Sequence, residues 1–241
     1  MFFFGDATMV LLIPAILFSL YAQWKVNSTF RKYSNQPTRR GMTGAQIAQA
    51  ILQGYGTTPF SGHNISTLRD VKIAPVAGSL SDHYDPTARV LRLSEPVYGS
   101  NSIAAVSVAA HEAGHALQHA TRYPFLGLRS LTVPVANIGS SLVFPIIVIG
   151  MFAGIMTQAL NVAILLYLGV VAFTVITLPV ELNASRRALA VLENGGFLSP
   201  DELPGARAVL NAAAMTYVAA TVSALLMLLR LIILRNMSED R

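Results

Sequence analysis

Four long apolar stretches constrain this chain more than any other feature of its sequence. They cover about residues 2–24, 131–156, 160–180 and 212–233. Each approaches or exceeds the roughly 20 apolar residues that a helix needs to cross a bilayer. The composition agrees, because 53% of the 241 residues are hydrophobic, only 12% are charged and the mean hydropathy is +0.53. These values exclude an ordinary soluble domain and predict an α-helical membrane protein with about four transmembrane helices.

The segments between the apolar stretches predict how the chain is divided. The bend around Thr157 and Gln158 is short and uncharged, so the second and third stretches are expected to form a helical hairpin. Only the segment after the first stretch is long enough to hold a small α+β core of its own. We therefore expect an anchor at residues 1–24, a soluble domain at residues 25–130 and the hairpin at residues 131–180. A second soluble segment should follow at residues 181–211, and a last transmembrane helix with a tail at residues 212–241.

Basic residues predict the orientation of the chain in the membrane. The segments 25–130 and 181–211 hold most of the lysines and arginines, whereas the hairpin bend holds none. Both segments are therefore expected to lie in the cytoplasm. A basic cluster follows the first apolar stretch, and we expect it to contact anionic lipids of the bilayer rather than nucleic acid. Its members are Lys25, Arg31, Lys32, Arg39 and Arg40.

Within the segment 25–130, the residue pattern predicts two helices and two strands. Thr43 and Gln46 stand at capping-box spacing at the start of a helix that should end near Gly54. VKIAPV and ARVLRLS are typical of strands, joined by the turn-rich linker GSLSDHYDPT. After the turn region EPVYGSNS, a second helix should begin near Ser102 and run through IAAVSVAAHEAGHALQHAT.

The second helix carries the pattern HEAGH in a chain that has only five histidines. At 3.6 residues per turn, His111 and His115 lie on one face, so their imidazoles can converge on one metal ion. Glu112 points about 100° away from His111, where a general base for a metal-activated water is expected. On a predicted helix this pattern favours a catalytic zinc ion over an amphipathic helix with incidental histidines.

A catalytic zinc site needs a third protein ligand, and the absence of cysteine excludes a thiolate. His119 would stand about 12 Å along a straight helix from His111, too far to share the ion, so we expect it beside the site. Glu181 ends the third apolar stretch, and a lone carboxylate at a membrane boundary is costly without a partner. We interpret it as the third ligand; the alternative is a surface acid paired with Arg186 or Arg187.

Three stretches of the sequence resemble one known family. They are LYAQWKVNSTFRKYS, then DHYDPTARVLRLSEPVYGSNSIAAVSVAAHEAGHALQHA, and finally LPVELNASRRALAVLE followed by GARAVLNAAAMTYVAA. In these stretches the chain is similar to the YugP-like neutral zinc metallopeptidases of the bacterial membrane. It is more distantly similar to the gluzincins of the HtpX and CaaX-protease group. The resemblance implies a zincin-like catalytic domain, a zinc cofactor, a multi-pass protein of the plasma membrane, and a peptide or membrane-protein substrate.

The gluzincin plan places the third ligand in an E-x-x-x-D pattern, and by this resemblance Glu181 is the ligand. Ser185 stands where the pattern has an aspartate. The residue that orients the ligand histidines is therefore left open between Ser185, Asp82 and Asp85. Zincin-like folds also pair an extended substrate with the strand before the motif helix, and the matching segment here is VLRLS. The alternative for VLRLS is an ordinary structural strand.

Together these observations predict a membrane-embedded zinc endopeptidase. Four residues are candidates for stabilising the oxyanion of the reaction, namely His83, Tyr84, His119 and Arg186. A site-2-type intramembrane protease is one alternative, but it needs an aspartate in a later span. A non-catalytic metal-binding scaffold or chaperone is another, although it has no use for the glutamate of HEAGH. A metal transporter would require ionisable residues buried in mid-span.

Overall fold

The computed structural model describes residues 7–60, 62 and 65–239. Helices account for most of them, with a small sheet between the second and third helices. The first residues of the predicted anchor, including Asp6, lie outside the described residues. The described α-helices and strands, in chain order, are α1 (Ile13–Ser34), α2 (Gly44–Leu52), β1 (Lys72–Val76), β2 (His83–Asp85), β3 (Val90–Ser94), α3 (Glu95–Tyr98), α4 (Ile103–Ala120), α5 (Pro124–Ala153), α6 (Met156–Asn194) and α7 (Leu203–Glu239). Short 3-10 helices cover Ala7–Leu12, which leads directly into α1, and Thr58–Phe60 and Ser66–Asp70.

Among the described residues, four helical segments are long and apolar enough to cross a membrane, and this confirms the predicted number of long apolar helices. They are Thr8–Ser34, Pro124–Ala153, Met156–Asn194 and Leu203–Glu239. Each extends beyond its apolar stretch, because the flanking sequences also favour helix. The extension of α6 has the largest consequence. α6 continues without a break to Asn194, so Glu181 lies inside this helix and not, as the apolar stretch had suggested, at its end.

The bend of the hairpin lies a few residues before its predicted position. α5 ends at Ala153 and α6 begins at Met156, so Thr157 and Gln158 belong to the first turn of α6. Gly154 makes the bend with a φ of +70°. This left-handed conformation is strained for residues with a Cβ atom, which explains why the helix stops at the glycine and not at the polar pair.

The described chain divides into two compact units. The helical unit contains residues 7–23, 127–179 and 215–239, and the mixed unit contains residues 24–126 and 180–214. In the helical unit, Arg230 is 2% exposed and its Nε donates to the Thr8 hydroxyl at 3.1 Å. The apolar core of this unit is formed by Val143, Ile147, Leu160, Ala163, Leu231 and Leu234.

The mixed unit holds a three-stranded sheet in the order β1-β3-β2. β3 pairs in parallel with β1 and antiparallel with β2, and its Leu91 and Leu93 are fully buried. The prediction missed β2, which lies inside the expected linker. Of the two interpretations of VLRLS, the pairing favours the ordinary structural strand, because β3 pairs with β1 along its whole length and with β2 over its first three residues. Strands β1 and β2 form the edges of this sheet.

The helix starts in the mixed unit follow their capping residues. At the start of α2 the capping box of Thr43 and Gln46 is present as predicted. The Ser102 hydroxyl accepts from the N–H of Ala105 at 3.2 Å and starts α4 where the sequence indicated. α2 ends slightly before Gly54, at Leu52, and the predicted turn EPVY is the short helix α3. α4 thereby places HEAGH against the core of the mixed unit.

Candidate metal centre

Two helices of the mixed unit bring together a His-His-Glu cluster. His111 and His115 stand one turn apart on α4, and Glu181 comes from α6. Its Oε2 atom lies 3.2 Å from Nε2 of His111 and 3.5 Å from Nε2 of His115. One ligand atom from each residue lies within 4.8 Å of the other two. Glu181 is only 1% exposed, so it is not the surface acid of the alternative interpretation.

Gly114 allows the two helices to approach closely enough for this cluster to form. A Cβ atom at this position would lie 2.7 Å from the backbone oxygen of Ala184 on α6. That contact is too short for any larger residue unless the backbone moves. Because Gly114 stands between the two histidines and Ala184 follows Glu181 by less than one turn, the glycine sets the separation of the ligands.

The donor set fits a zinc ion. Zinc binds imidazole nitrogen and carboxylate oxygen at about 2.0–2.2 Å, so neighbouring ligand atoms of a tetrahedral site are separated by about 3.3 Å. The separations of Oε2 of Glu181 from the two Nε2 atoms, 3.2 and 3.5 Å, bracket this value. The Nδ1 atoms of both histidines contact other side chains, which leaves both Nε2 atoms directed at one carboxylate. Such a convergence of lone pairs is favourable only around a cation, whether a proton or a metal ion.

Two acidic groups surround His115 at this centre. Burial by itself would lower the pKa of His115, but the hydrogen bond and charge of Glu181, with the charge of Glu112, raise it above its ordinary value. Glu112 is 8% exposed, and among the described residues none hydrogen-bonds its carboxylate. The site therefore combines a cation-binding cluster with an adjacent buried carboxylate whose oxygens are available to another molecule.

Each ligand histidine has a hydrogen-bond partner on its other nitrogen. Nδ1 of His111 lies 3.2 Å from the Ser185 hydroxyl, and Nδ1 of His115 lies 3.0 Å from Oε1 of Gln118. Of the three residues that the sequence left open for this role, the structure thus brings only Ser185 to a ligand histidine. Gln118 was missed, although its position three residues after His115 on the same helix was a signal for it.

The two aspartates considered for the same role make local contacts instead. Asp82 accepts hydrogen bonds from the backbone and hydroxyl of Ser94, at 2.7 Å and 2.9–3.0 Å. Asp85 accepts from the backbone N–H groups of Thr87 and Ala88 and pairs with Arg92 at 3.1 Å. Both carboxylates therefore organise the β2–β3 hairpin.

A cavity of about 520 Å³ follows the Glu112 face of α4. At 100° per residue, the positions 112, 116, 119 and 120 share one side of the helix, and the last three line the cavity. Arg89 and Arg122 also line it; Arg89 pairs with Asp70 at 3.2 Å, and Arg122 adds a second guanidinium group to the wall. Thr67, Val71, Tyr84 and Thr121 complete the lining. The cavity thus lies along the side of α4 that also carries Glu112.

Tyr84 and His119 form a neutral hydrogen-bonded pair in this cavity. The Tyr84 hydroxyl lies 2.8 Å from Nδ1 of His119. Burial raises the pKa of Tyr84 to about 12, with Arg89 opposing this shift. Burial and the charge of Arg89 lower the pKa of His119. His119 is thus beside the site and outside the ligand cluster. The other two oxyanion candidates are placed differently, because His83 and Arg186 are both exposed.

The fold and this site define a membrane protein whose His-His-Glu centre combines two histidines of the HEAGH helix with a glutamate of α6, and comparison with known proteins agrees. The family model described as "Putative neutral zinc metallopeptidase" matches residues 8–236. The chain is also 46% identical over 227 residues to a Bacillus subtilis (strain 168) protein, "Putative membrane protease YugP", covering 93% of this chain and 94% of the relative. No solved structure matches the chain significantly. The chain belongs to this family of neutral zinc metallopeptidases.

Proposed function

We propose that this chain is a membrane-embedded zinc-dependent endopeptidase. His111, His115 and Glu181 would hold the zinc ion, and the mixed unit would be its zincin-like catalytic domain. One observation carries the proposal. The buried carboxylate of Glu112 lies next in the chain to His111, whose imidazole converges with that of His115 and the carboxylate of Glu181 in a cluster that a cation would stabilise. A structural or scaffolding metal site has no use for a carboxylate such as that of Glu112, because four closed ligands suffice there.

The reaction would be hydrolysis of a peptide bond by a water molecule. When bound, zinc supplies a Lewis acid that polarises the scissile carbonyl and acidifies the attacking water. Glu112 would take the proton from the water and then give it to the leaving amine. Its placement one residue after His111 holds its carboxylate beside the metal ligands and not among them. The same helix therefore supplies two ligands and the base.

The cavity along α4 is the proposed binding site for a substrate side chain next to the cleaved bond. Its small floor residues, Ala116 and Ala120, leave room for a side chain, and the guanidinium group of Arg122 favours an acidic one. Tyr84 and His119 are the proposed oxyanion donors, because this pair lines the same cavity. Strand β2 carries Tyr84 and is an edge of the sheet, so it replaces β3 as the strand expected to pair with an extended peptide.

The proposed location is the bacterial plasma membrane, with several spans in the bilayer and the catalytic domain in the cytoplasm. The distribution of lysine and arginine supports this orientation. α1 continues from its apolar part into Lys25, Arg31 and Lys32, which would contact anionic lipid headgroups and not nucleic acid. Substrates would be peptides or membrane proteins that reach this side of the membrane.

Cleavage of casein by the detergent-purified protein tests this function. The wild type should cleave casein, and Glu112→Gln should lower the rate at least 100-fold while it retains the metal. Glu95→Gln is the matched control, because Glu95 is an exposed acid of the same unit outside the centre. Equal cleavage by Glu112→Gln and the wild type would overturn the proposal.

A further inference from the structure

Three hydrogen-bonded side chains lead away from His115 on the side opposite the metal cluster. Oε1 of Gln118 lies 3.0 Å from Nδ1 of His115. Nε2 of Gln118 donates to Oδ1 of Asn183 at 3.0 Å and to the Val180 carbonyl at 2.8 Å. Nε of Arg187 donates to the same Oδ1 atom at 2.8 Å. Gln118 is fully buried, so these contacts are its environment within the described residues.

The two ends of this series of hydrogen bonds fix the orientation of the Gln118 and Asn183 amide groups. A guanidinium group can only donate, so the oxygen of Asn183 and not its nitrogen must face Arg187. A backbone carbonyl can only accept, so the nitrogen of Gln118 must face Val180. Both requirements agree on one arrangement, in which the oxygen of Gln118 points at His115. Because that oxygen can only accept, Nδ1 of His115 must carry a hydrogen.

A neutral imidazole has one N–H group, so a hydrogen on Nδ1 leaves the lone pair on Nε2. Nε2 is the atom of His115 that faces Glu181 in the cluster. We propose that Gln118 and Asn183, anchored by Arg187, are positioning residues that hold His115 in the tautomer and ring orientation that bind the metal. This inference rests on the proposed function and adds the residues that prepare one of its ligands.

Arg187 is itself held from several directions. Its guanidinium lies 4.9 Å from the ring centre of Phe60 and 5.8 Å from that of Tyr123. It also contacts the carbonyl of Leu117 at 3.5 Å. These contacts hold Arg187 in place as a hydrogen-bond donor. Arg187 is the outer end of the series of hydrogen bonds that runs from His115 through Gln118 and Asn183, which we call the relay. The partner of His111 differs, because the hydroxyl of Ser185 can donate or accept and therefore selects no tautomer.

Zinc affinity, measured by chelator competition on the full-length protein in detergent, tests the relay without reference to peptidase activity. Gln118→Leu and Asn183→Leu break it at two points and should each lower the affinity about 10- to 100-fold. Asn183→Asp keeps an oxygen toward both neighbours and should bind zinc nearly as tightly as the wild type. Arg187→Ala should also weaken binding, whereas Arg186→Ala is the matched control at an exposed neighbour and should not.

A second readout separates positioning from a general loss of packing. Long-range proton–nitrogen NMR correlations of the zinc-loaded, ¹⁵N-histidine-labelled protein should show His115 protonated on Nδ1, and Asn183→Leu should weaken that signal. Unchanged zinc affinity in Gln118→Leu and Asn183→Leu would overturn the relay and leave the zinc site standing. Absence of stoichiometric zinc from the wild type would overturn the proposed function and the relay together.

Discussion

Nε2 of His111 lies 3.2 Å from Oε2 of Glu181, although 70 positions separate these residues along the chain. The two atoms meet because α4 and the later part of α6 pack together within the mixed unit. Neither helix carries a complete metal site by itself. Binding of the proposed metal ion would therefore depend on this helix contact, and a bound ion would stabilise the contact in return.

Gly114→Ala should separate the ligand helices. The added Cβ would lie 2.7 Å from the backbone oxygen of Ala184, so α4 and α6 must move apart and carry Glu181 away from the histidines. We expect a loss of zinc binding and a destabilisation of about 1–3 kcal/mol, as for other overpacked contacts. Zinc content per chain and the thermal unfolding midpoint in detergent measure the two effects.

Gly127→Ala is the control for this substitution. Gly127 also lies in a helix, but nothing stands within 4 Å of a Cβ atom at that position. Alanine is the better helix former there, so zinc content should not change and stability should not fall. If Gly114→Ala bound zinc as well as Gly127→Ala, the proposed dependence of the ligand geometry on close helix packing would be wrong.

Ser185→Asp should increase zinc affinity. Ser185 lies 3.2 Å from Nδ1 of His111, and a carboxylate there would accept a charge-assisted hydrogen bond from the N–H group. The gain should be up to about 10-fold, while Ser185→Ala should give a loss of similar or smaller size. Chelator competition on both variants checks whether zinc affinity falls in the order Ser185→Asp, wild type, Ser185→Ala. An affinity for Ser185→Asp below that for Ser185→Ala would contradict this order.

The mixed unit should become less stable in acid, because protonation of Glu202 removes a stabilising contribution. Burial by itself would raise the pKa of Glu202, but hydrogen bonds from the backbone and hydroxyl of Ser199 and from the backbone of Arg39 lower it below the ordinary 4.5. Because the folded-state pKa is depressed, this stabilisation is fully present above about pH 4.5 and is lost as the pH falls through the folded-state pKa.

Glu202→Gln tests that dependence. The amide has one oxygen for two donor groups, so its NH₂ must face either Ser199 or Arg39. We expect a destabilisation on the order of 1–2 kcal/mol at pH 7 and a smaller difference between pH 7 and pH 3 than in the wild type. The unfolding midpoint at the two pH values measures both. Glu193→Gln, at an exposed acid, is the control, and an equal pH response in the two variants would refute the assignment.

Arg122→Glu should change which peptide bonds are cut. Arg122 lines the cavity on the Glu112 side of α4, where its positive charge would favour an acidic substrate side chain. The reversed charge should reduce cleavage next to acidic residues by about 10-fold or more. Mass spectrometry of casein fragments gives the preference. Lys72→Glu makes the same change of net charge on β1, outside the cavity, and the same fragment pattern from both variants would count against the cavity.

The sequence was sufficient for the parts of the molecule that depend on local patterns. Hydropathy predicts the four long helices, and residue spacing predicts the start of α4 and the common face of its two histidines. The bend at Gly154 and the strand β2 were missed because a glycine conformation and a strand pairing outweighed the local polar pattern.

The environment of the metal ligands could be predicted only in part, because it is made by contacts between distant segments. Resemblance to a known family pointed to Glu181, but the approach of α6 to Gly114 and the relay from His115 through Gln118 to Asn183 depend on how two helices pack. No spacing along the chain encodes such contacts. The central position of β3 was missed for the same reason.

Zinc content and casein cleavage, measured on the same detergent-purified samples of the wild type, Glu112→Gln and Glu181→Ala, test the proposed centre most directly. We expect about one zinc per chain in the wild type and in Glu112→Gln, a clear loss of zinc in Glu181→Ala, and cleavage by the wild type alone. Full zinc content together with wild-type cleavage in Glu181→Ala would contradict the proposed centre.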